Sequence, residues 1–256
     1  MTQTAAQCDD NRSLSEAYAR LQPDTVDLQP EPEEADAKRD LRYGEILMSD
    51  FPKLLALLLN CSQCEEQEED CFVDIGSGTG KLVLYAAMSG LLSYGIELVQ
   101  RRHNVGKEVL QALSDDRRFR RASLRCADAL APSEAHIILG GSLFFCNNAV
   151  WSEQLTAEIV RGLAPDHAPR LAALITLKEV PVDALEAAGL VLARASCVSV
   201  TWDPLGWPLF LYRPRAAEPD PQEHQEHQEQ QQRAWPVIDE AFVIGLESRD
   251  GIAMYG

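Results

Sequence analysis

From residue 71 onward, apolar and polar positions alternate in short regular blocks. "CFVDI" (71–75) is a short, mainly apolar run that includes Asp74 and is ended by turn residues, the pattern of a buried strand. "GKLVLYAAMSG" reads as a helix stopping at Gly90. "LSYGIE" predicts a second strand and "LVQRRHNVGKEVLQAL" an amphipathic helix. "RASLRCAD" and "GSLFFCN" predict two more strands, the latter followed by a helix from about Trp151 to Gly162. "RLAALITL" predicts a strand and "VDALEAAG" a short helix. "LVLARASCVSVTW" and "WPLFLYR" close the series as two β-rich runs joined by a turn at "DPLG". Strand and helix in this alternation predict an α/β fold, a mainly parallel sheet with helices on both faces. The last two strands predict an antiparallel pair at one edge.

The flanks differ. Residues 1–40 are polar, acidic and dotted with proline, and are expected to be mostly flexible, with one short helix around 13–20. "LRYGEILMSDFPKLLALLLNC" turns apolar and predicts a helix with Pro52 in its first turn and Ser49 or Asp50 as cap. Residues 41–215 thus make the expected domain. Residues 216–234 are low complexity, a Gln/Glu/His-rich acidic linker. The apolar stretch "WPVIDEAFVIGLES" lies within a C-terminal segment, 235–256, expected to dock back on the domain.

Composition narrows the setting. The 256 residues are 46% hydrophobic, enough for a sizeable core. No apolar run reaches membrane-spanning length, and "MTQTAAQCDDNRS" has no secretion-signal pattern, so the reading is a soluble, intracellular protein without a membrane partner. Seven cysteines are an odd, scattered set and no secreted disulfide framework. Cys61 and Cys64 form a lone CxxC without the second pair or histidines of a zinc site, so no metal is expected. Cys71, Cys126, Cys146 and Cys197 sit in strand-like runs and read as small core residues. The net charge of −17 opposes nucleic acid, but it is uneven. Residues 101–125 carry Arg101, Arg102, Lys107, Arg117, Arg118, Arg120, Arg121 and Arg125, either a solvated helix face or a basic patch for DNA.

The chemistry gathers at "DIGSGTGK". Gly76, Gly78 and Gly80 follow Asp74 at the first strand–helix turn, where open α/β sheets bind ligands. The dinucleotide fingerprint fails, because its third glycine falls on Lys81. A phosphate loop fails too, because Lys81 is followed by Leu82. An acid before G-x-G-x-G remains, the pattern of class I methyltransferases that bind S-adenosyl-L-methionine. Asp74 suits the ligand's ammonium, while Gly76, Ser77, Gly78 and Gly80 admit its methionyl backbone. Glu97, at the end of the second strand, suits the ribose hydroxyls. Asp128, after the third, suits the adenine amino group.

After the fourth strand stands "FFCNNAVW", with none of the prolines of the Asn/Asp-Pro-Pro-aromatic turn found in enzymes that methylate base amino groups or glutamine amides. Here the sequence resembles the non-SET histone-lysine methyltransferases of the disruptor of telomeric silencing type. "YGE" (43–45), on an apolar helix upstream of the glycine loop, carries the resemblance. So do "FCNNAVW", "SVTW" (199–202) before "GWPLFLYR", and "ITLK" with Lys178. The likeness spans about 41–213 and implies a Rossmann-like class I fold with a seven-stranded sheet. It implies methyl transfer to a lysine on the core histone surface of the nucleosome, in the nucleus or otherwise the cytoplasm, with residues 101–125 on DNA. By the same likeness, Tyr43 and Glu45 belong to a loop that lids the cofactor. Asn147 stands where cofactor and lysine channel meet, and Trp151 and Trp202 wall the channel. The family's last-strand tyrosine falls on Leu211 or Tyr212, one residue apart on opposite strand faces.

Plainer readings stand beside these. Asn147 and Asn148 suit a turn at a strand end, and Trp151, Trp202 and Tyr43 suit core packing. The same fold also serves a non-histone protein, a small molecule, or a binding module that has lost transfer.

Overall fold

The computed structural model describes residues 14–20, 44–61 and 69–215, all within one compact unit that ends at Arg215. Among the described residues seven strands form one sheet: β1 (Cys71–Ile75), β2 (Leu92–Glu97), β3 (Ala122–Cys126), β4 (Leu143–Cys146), β5 (Ala173–Thr176), β6 (Leu190–Val200) and β7 (Asp203–Pro214). Their order is β3-β2-β1-β4-β5-β7-β6. β1 to β5 run parallel, and β7 is antiparallel to both β5 and β6. The strand order reverses between β1 and β4, which leaves a crevice beyond their carboxyl ends. This is the class I methyltransferase fold.

Helix α1 covers 14–20. The others are α2 (Phe51–Leu59), α3 (Lys81–Met88), α4 (Gln100–Ala112), α5 (Ala135–Gly140), α6 (Glu153–Arg161) and α7 (Val182–Ala187). One core layer draws Leu14, Leu54, Leu84 and Val109 onto one sheet face, from α1, α2, α3 and α4. The other draws Ile137, Ile159 and Ala184 onto the opposite face, from α5, α6 and α7. Central strands covered on both faces need continuous apolar runs. β1, β4 and β5 are accordingly buried at every position.

Edge position explains one correction. Cys71 and Cys146, on central strands, are buried, but Cys126 and Cys197 are exposed, because β3 and β6 are the sheet's edges. Among the described residues no helix is long and apolar enough to cross a membrane. No group of three His, Cys, Asp or Glu is placed to hold a metal among them either. Cys64, Tyr43 and the segments 216–234 and 235–256 lie outside the described residues.

Three local readings change. The turn expected at Asp203–Gly206 is β7 itself; the chain reverses at Thr201 and Trp202, with Val200 paired to Asp203. Gly44 to Leu47 are extended rather than helical. The β6–β7 hairpin satisfies their backbone: Ile46 bridges Val200, Leu47 N–H donates to Ser199 O (2.9 Å), and Thr201 N–H donates to Glu45 O (2.8 Å). Asp50 stands at the start of α2 without capping it, because its carboxylate accepts the Ser199 N–H (2.5 Å). Helix α5 was not announced by any periodicity.

Candidate cofactor cleft and aromatic channel

The glycine turn leaves β1 with φ of 77°, 58° and 80° at Gly76, Gly78 and Gly80. These left-handed values cost a side-chain-bearing residue strain that glycine avoids. The turn is tied to the end of β2. Gly76 and Ser77 N–H groups both donate to Ile96 O (2.8 and 3.1 Å), and Gly78 N–H donates to Glu97 Oε2 (2.7 Å). Trp151 lies over the bare backbone of Gly76, where an added Cβ would meet its ring at 3.0 Å. Gly80 is the N-cap of α3 and lines neither pocket described below.

Asp74 is 3% exposed, and its Oδ1 has no hydrogen-bond partner. Burial, then the negative charges of Glu97 and Glu45, push its carboxyl well above the usual range. A buried carboxylate left short of donors is costly unless a cation meets it. Glu97 is also buried, and burial raises its carboxyl. The N–H of Val99 (2.8 Å to Oε1), Arg102 (Nη1 3.6 Å away) and the N–H of Gly78 pull it back. Glu97 therefore shapes the glycine turn while it faces the cleft.

The cleft has a volume of about 450 Å³, the size of an ordinary ligand site. Its lining includes Glu97, Asp128 and Ala129 from the ends of β2 and β3, together with Gly44, Asn147, Trp202 and Trp207. Asp128 is fixed by the Leu130 N–H (3.0 Å). A smaller pocket shares Gly44, Gly76 and Asn147 with the cleft and contains Glu45, Asp74, Ser77, Gly78 and Lys81. The fold thus brings together every described residue of the sequence-derived site except Gly80 and Tyr212.

Tyr212 is a correction. It is 2% exposed in the layer with α6 and α7, and its hydroxyl accepts the Val180 N–H (3.1 Å). Leu211 turns to the other face and is core as well. The aromatic that reaches the cleft is Trp207. It shares a strand face with Leu209 and Leu211 but lies nearer the hairpin end, where it packs half-buried against the margin of that core and lines the cleft. Its Nε1–H donates to Leu177 O (2.8 Å), which locks the ring. Trp202 and Trp207 meet edge to face with centroids 5.5 Å apart. The period-two register of β7 was the signal for Trp207, obscured by reading "DPLG" as a turn.

The two asparagines part ways. Asn148 is wholly buried; its Oδ1 accepts the N–H groups of Leu177 and Lys178 (both 2.9 Å), and its Nδ2 donates to Lys178 O (3.1 Å). It pins the β4 loop to β5. Asn147 instead faces the cleft and donates Nδ2–H to Gly44 O (2.8 Å). Gly44 itself is pressed on Trp202: an added Cβ would stand 2.3 Å from the indole. Lys178 Nζ donates to Trp151 O (3.3 Å) and steadies that loop. Among the described residues no His, Cys or Lys lines the larger cleft, and its aromatic wall offers enclosure and alignment.

The basic stretch 101–125 is largely spent on the protein itself. Arg102 turns inward to Glu97, while Arg118 pairs with Asp116 (2.6 Å), Arg121 with Glu69 (2.6 Å) and Arg125 with Glu134 (3.4 Å). Lys107, Arg117 and Arg120 are exposed.

Comparison with known proteins adds the following. The family described as "Histone methylation protein DOT1" matches residues 36–181. No curated protein matches the chain. Magnesium protoporphyrin IX methyltransferase from Synechocystis PCC 6803, with bound SAM, is 14% identical over 83% of this chain and all of its own, with a TM-score of 0.46. M. capricolum TrmK with SAH is 14% identical over 68% of this chain and 73% of its own, TM-score 0.45. An uncharacterized protein from Listeria monocytogenes serotype 4b is 12% identical over 67% of this chain and 69% of its own, TM-score 0.47.

Proposed function

This chain belongs to the histone methylation protein DOT1 family, and we propose on that premise that it methylates a lysine on the core histone surface of the nucleosome. Methyl transfer from S-adenosylmethionine comes with the family; the lysine substrate and the nuclear setting are the inference. One observation carries it. The unpartnered Asp74 oxygen lies at the start of a left-handed glycine turn, and the adjoining cleft is lined by Trp151, Trp202 and Trp207.

The orphaned carboxylate and the bare turn fit the amino-acid end of S-adenosylmethionine, which when bound supplies a methyl already activated by its sulfonium. In this reading Asp74 takes the ammonium, Glu97 the ribose hydroxyls and Asp128 the adenine amino group. Asn147 stands between the two pockets, at the junction of cofactor and substrate. Trp151, Trp202 and Trp207 wall the substrate end. Indole faces attract a lysine ammonium, and the same walls strip its water and favour the neutral amine that attacks. Alignment of that amine with the methyl is the main catalytic work, of order 7–11 kcal/mol where geometry is good.

Exposed Lys107, Arg117 and Arg120 support a small contact with nucleosomal DNA. Two to three phosphate contacts give a salt slope of about −2 to −3 in log affinity against log salt. The net charge of −17 supports a second reading, a basic protein met away from DNA. Labelled-methyl transfer onto nucleosomes, free histones and a whole lysate tests both, with mass spectrometry to find the residue. Label on nucleosomal histone lysine is expected. Label on a free non-histone protein alone favours the second reading, and no label on any protein refutes both.

A further inference from the structure

Residues 14–20 lie outside the family match of 36–181, yet two of their side chains are inside the fold. Leu14 and Tyr18 are both buried, in the layer with α2 and α3. The Tyr18 hydroxyl donates to the backbone carbonyl of Thr79 (2.8 Å), between Gly78 and Gly80. The Thr79 hydroxyl donates to Glu45 Oε1 (2.9 Å), and Lys81 Nζ donates to Glu45 Oε2 (2.5 Å). Lys81 Nζ also stands 5.2 Å from the centre of the Tyr18 ring, within cation–π range. Tyr18 thus joins α1 to the glycine turn, and Thr79 and Lys81 join the turn to Glu45.

A glycine turn has almost no side chains to hold its path, so it depends on tethers. The Ile96 carbonyl and the Glu97 carboxylate hold its first half, Gly76 to Gly78. Tyr18 holds the second half, Thr79, next to Lys81. Among the described residues Lys81 is the cationic side chain lining the pocket that also contains Asp74. An amino-acid end carries a carboxylate beside its ammonium, and these two side chains offer it the complementary pair.

We propose that residues 14–20 form a strap that sets the affinity for cofactor, with Tyr18 as the positioning residue that fixes Thr79 and Lys81. The proposal rests on the reading that this pocket takes S-adenosylmethionine. Linkage makes it reciprocal: a ligand that favours this shape of the turn also favours the docked strap. Burial, with the negative charge of Glu45, holds the Tyr18 phenol well above its ordinary value, so it remains a donor.

The test uses S-adenosylhomocysteine on the full chain, with calorimetry for affinity and hydrogen exchange for α1. Tyr18→Phe keeps the ring and removes the donor, and is expected to weaken binding about threefold to tenfold. Leu14→Asp undocks the strap away from the turn and is expected to weaken binding more than tenfold. Ligand is expected to slow amide exchange across 14–20 in the parent chain and not in Tyr18→Phe. Binding within twofold of the parent in both variants, or exchange across 14–20 that ignores the ligand, overturns the strap. A parent chain that does not take up S-adenosylhomocysteine overturns the cofactor reading itself and the strap with it, a distinguishable failure.

Discussion

Asn147 and Asn148 are neighbours of one chemical type, and the geometry assigns them opposite fates. Asn148→Ala removes two acceptor contacts and one donor contact from the end of β5. Leu177 is 1% exposed, so its N–H finds no water in exchange. At about 0.5–1.5 kcal/mol per net hydrogen bond, the three bonds together come to about 1.5–4.5 kcal/mol before any penalty for a buried donor left unmade. For a domain of this size that lowers the melting temperature by roughly 5–15 °C. Asn147→Ala removes one half-buried bond, to Gly44 O, and costs about 1 kcal/mol or less. Its expected effect lies elsewhere: S-adenosylhomocysteine binding is largely kept and methyl transfer is lost. Thermal unfolding, calorimetry and labelled transfer on both variants separate the roles. If Asn147→Ala is the less stable of the two, or keeps full turnover, the division of labour is wrong.

The buried acid gives a pH prediction. Asp74 is raised in the folded chain, so a cationic ligand displaces its proton, and affinity for S-adenosylhomocysteine is expected to rise with pH from the ordinary carboxylate range up to the raised value. The unliganded fold holds that proton more tightly than the unfolded chain, so this group's contribution to stability falls as pH rises over the same window. Calorimetry from pH 5 to 8 checks the slope, which Asp74→Asn is expected to flatten. Gly44→Ala forces a methyl to 2.3 Å from Trp202 and is expected to cost about 1–3 kcal/mol in thermal unfolding, with reduced transfer. Trp207→Ala is expected to lower transfer with cofactor affinity kept, whereas Tyr212→Phe, which loses one bond to Val180 N–H, is expected to transfer normally; the reverse ranking in a turnover assay restores Tyr212 to the channel.

Much of the sheet was readable because parallel strands buried on both faces must be continuous apolar runs, and "CFVDI", "LFFC" and "ALIT" are such runs. The edges were less readable for the complementary reason. β6 is exposed over most of its middle, so its apolar cysteine and alanines report no burial. The "DPLG" stretch carries three residues that usually mark turns, but here the reversal falls just before it, at Thr201 and Trp202. Proline at 204 is tolerated because it lies near the hairpin's end. Misplacing that turn shifted attention along β7 from Trp207 to Tyr212.

The site divides along the same line between local and distant signals. Asp74, Glu97 and Asp128 are legible because each lies at or just past the carboxyl end of its strand, and strand ends in an open α/β sheet converge on one crevice. Trp207, Lys81 and Tyr18 gave no such signal, since their meaning lies in partners far away in sequence: Leu177, Glu45 and Thr79. Gly44 is the instructive middle case. Its place in "YGE" was noticed, but the reason for a glycine is the indole of Trp202, 158 positions later, on a hairpin that also bonds the neighbouring Glu45 backbone. A residue selected by close approach carries no periodic or compositional mark. The cleft's wall at this end is therefore a joint product of the N-terminal segment and the last hairpin, and a change in either is expected to be felt at the other.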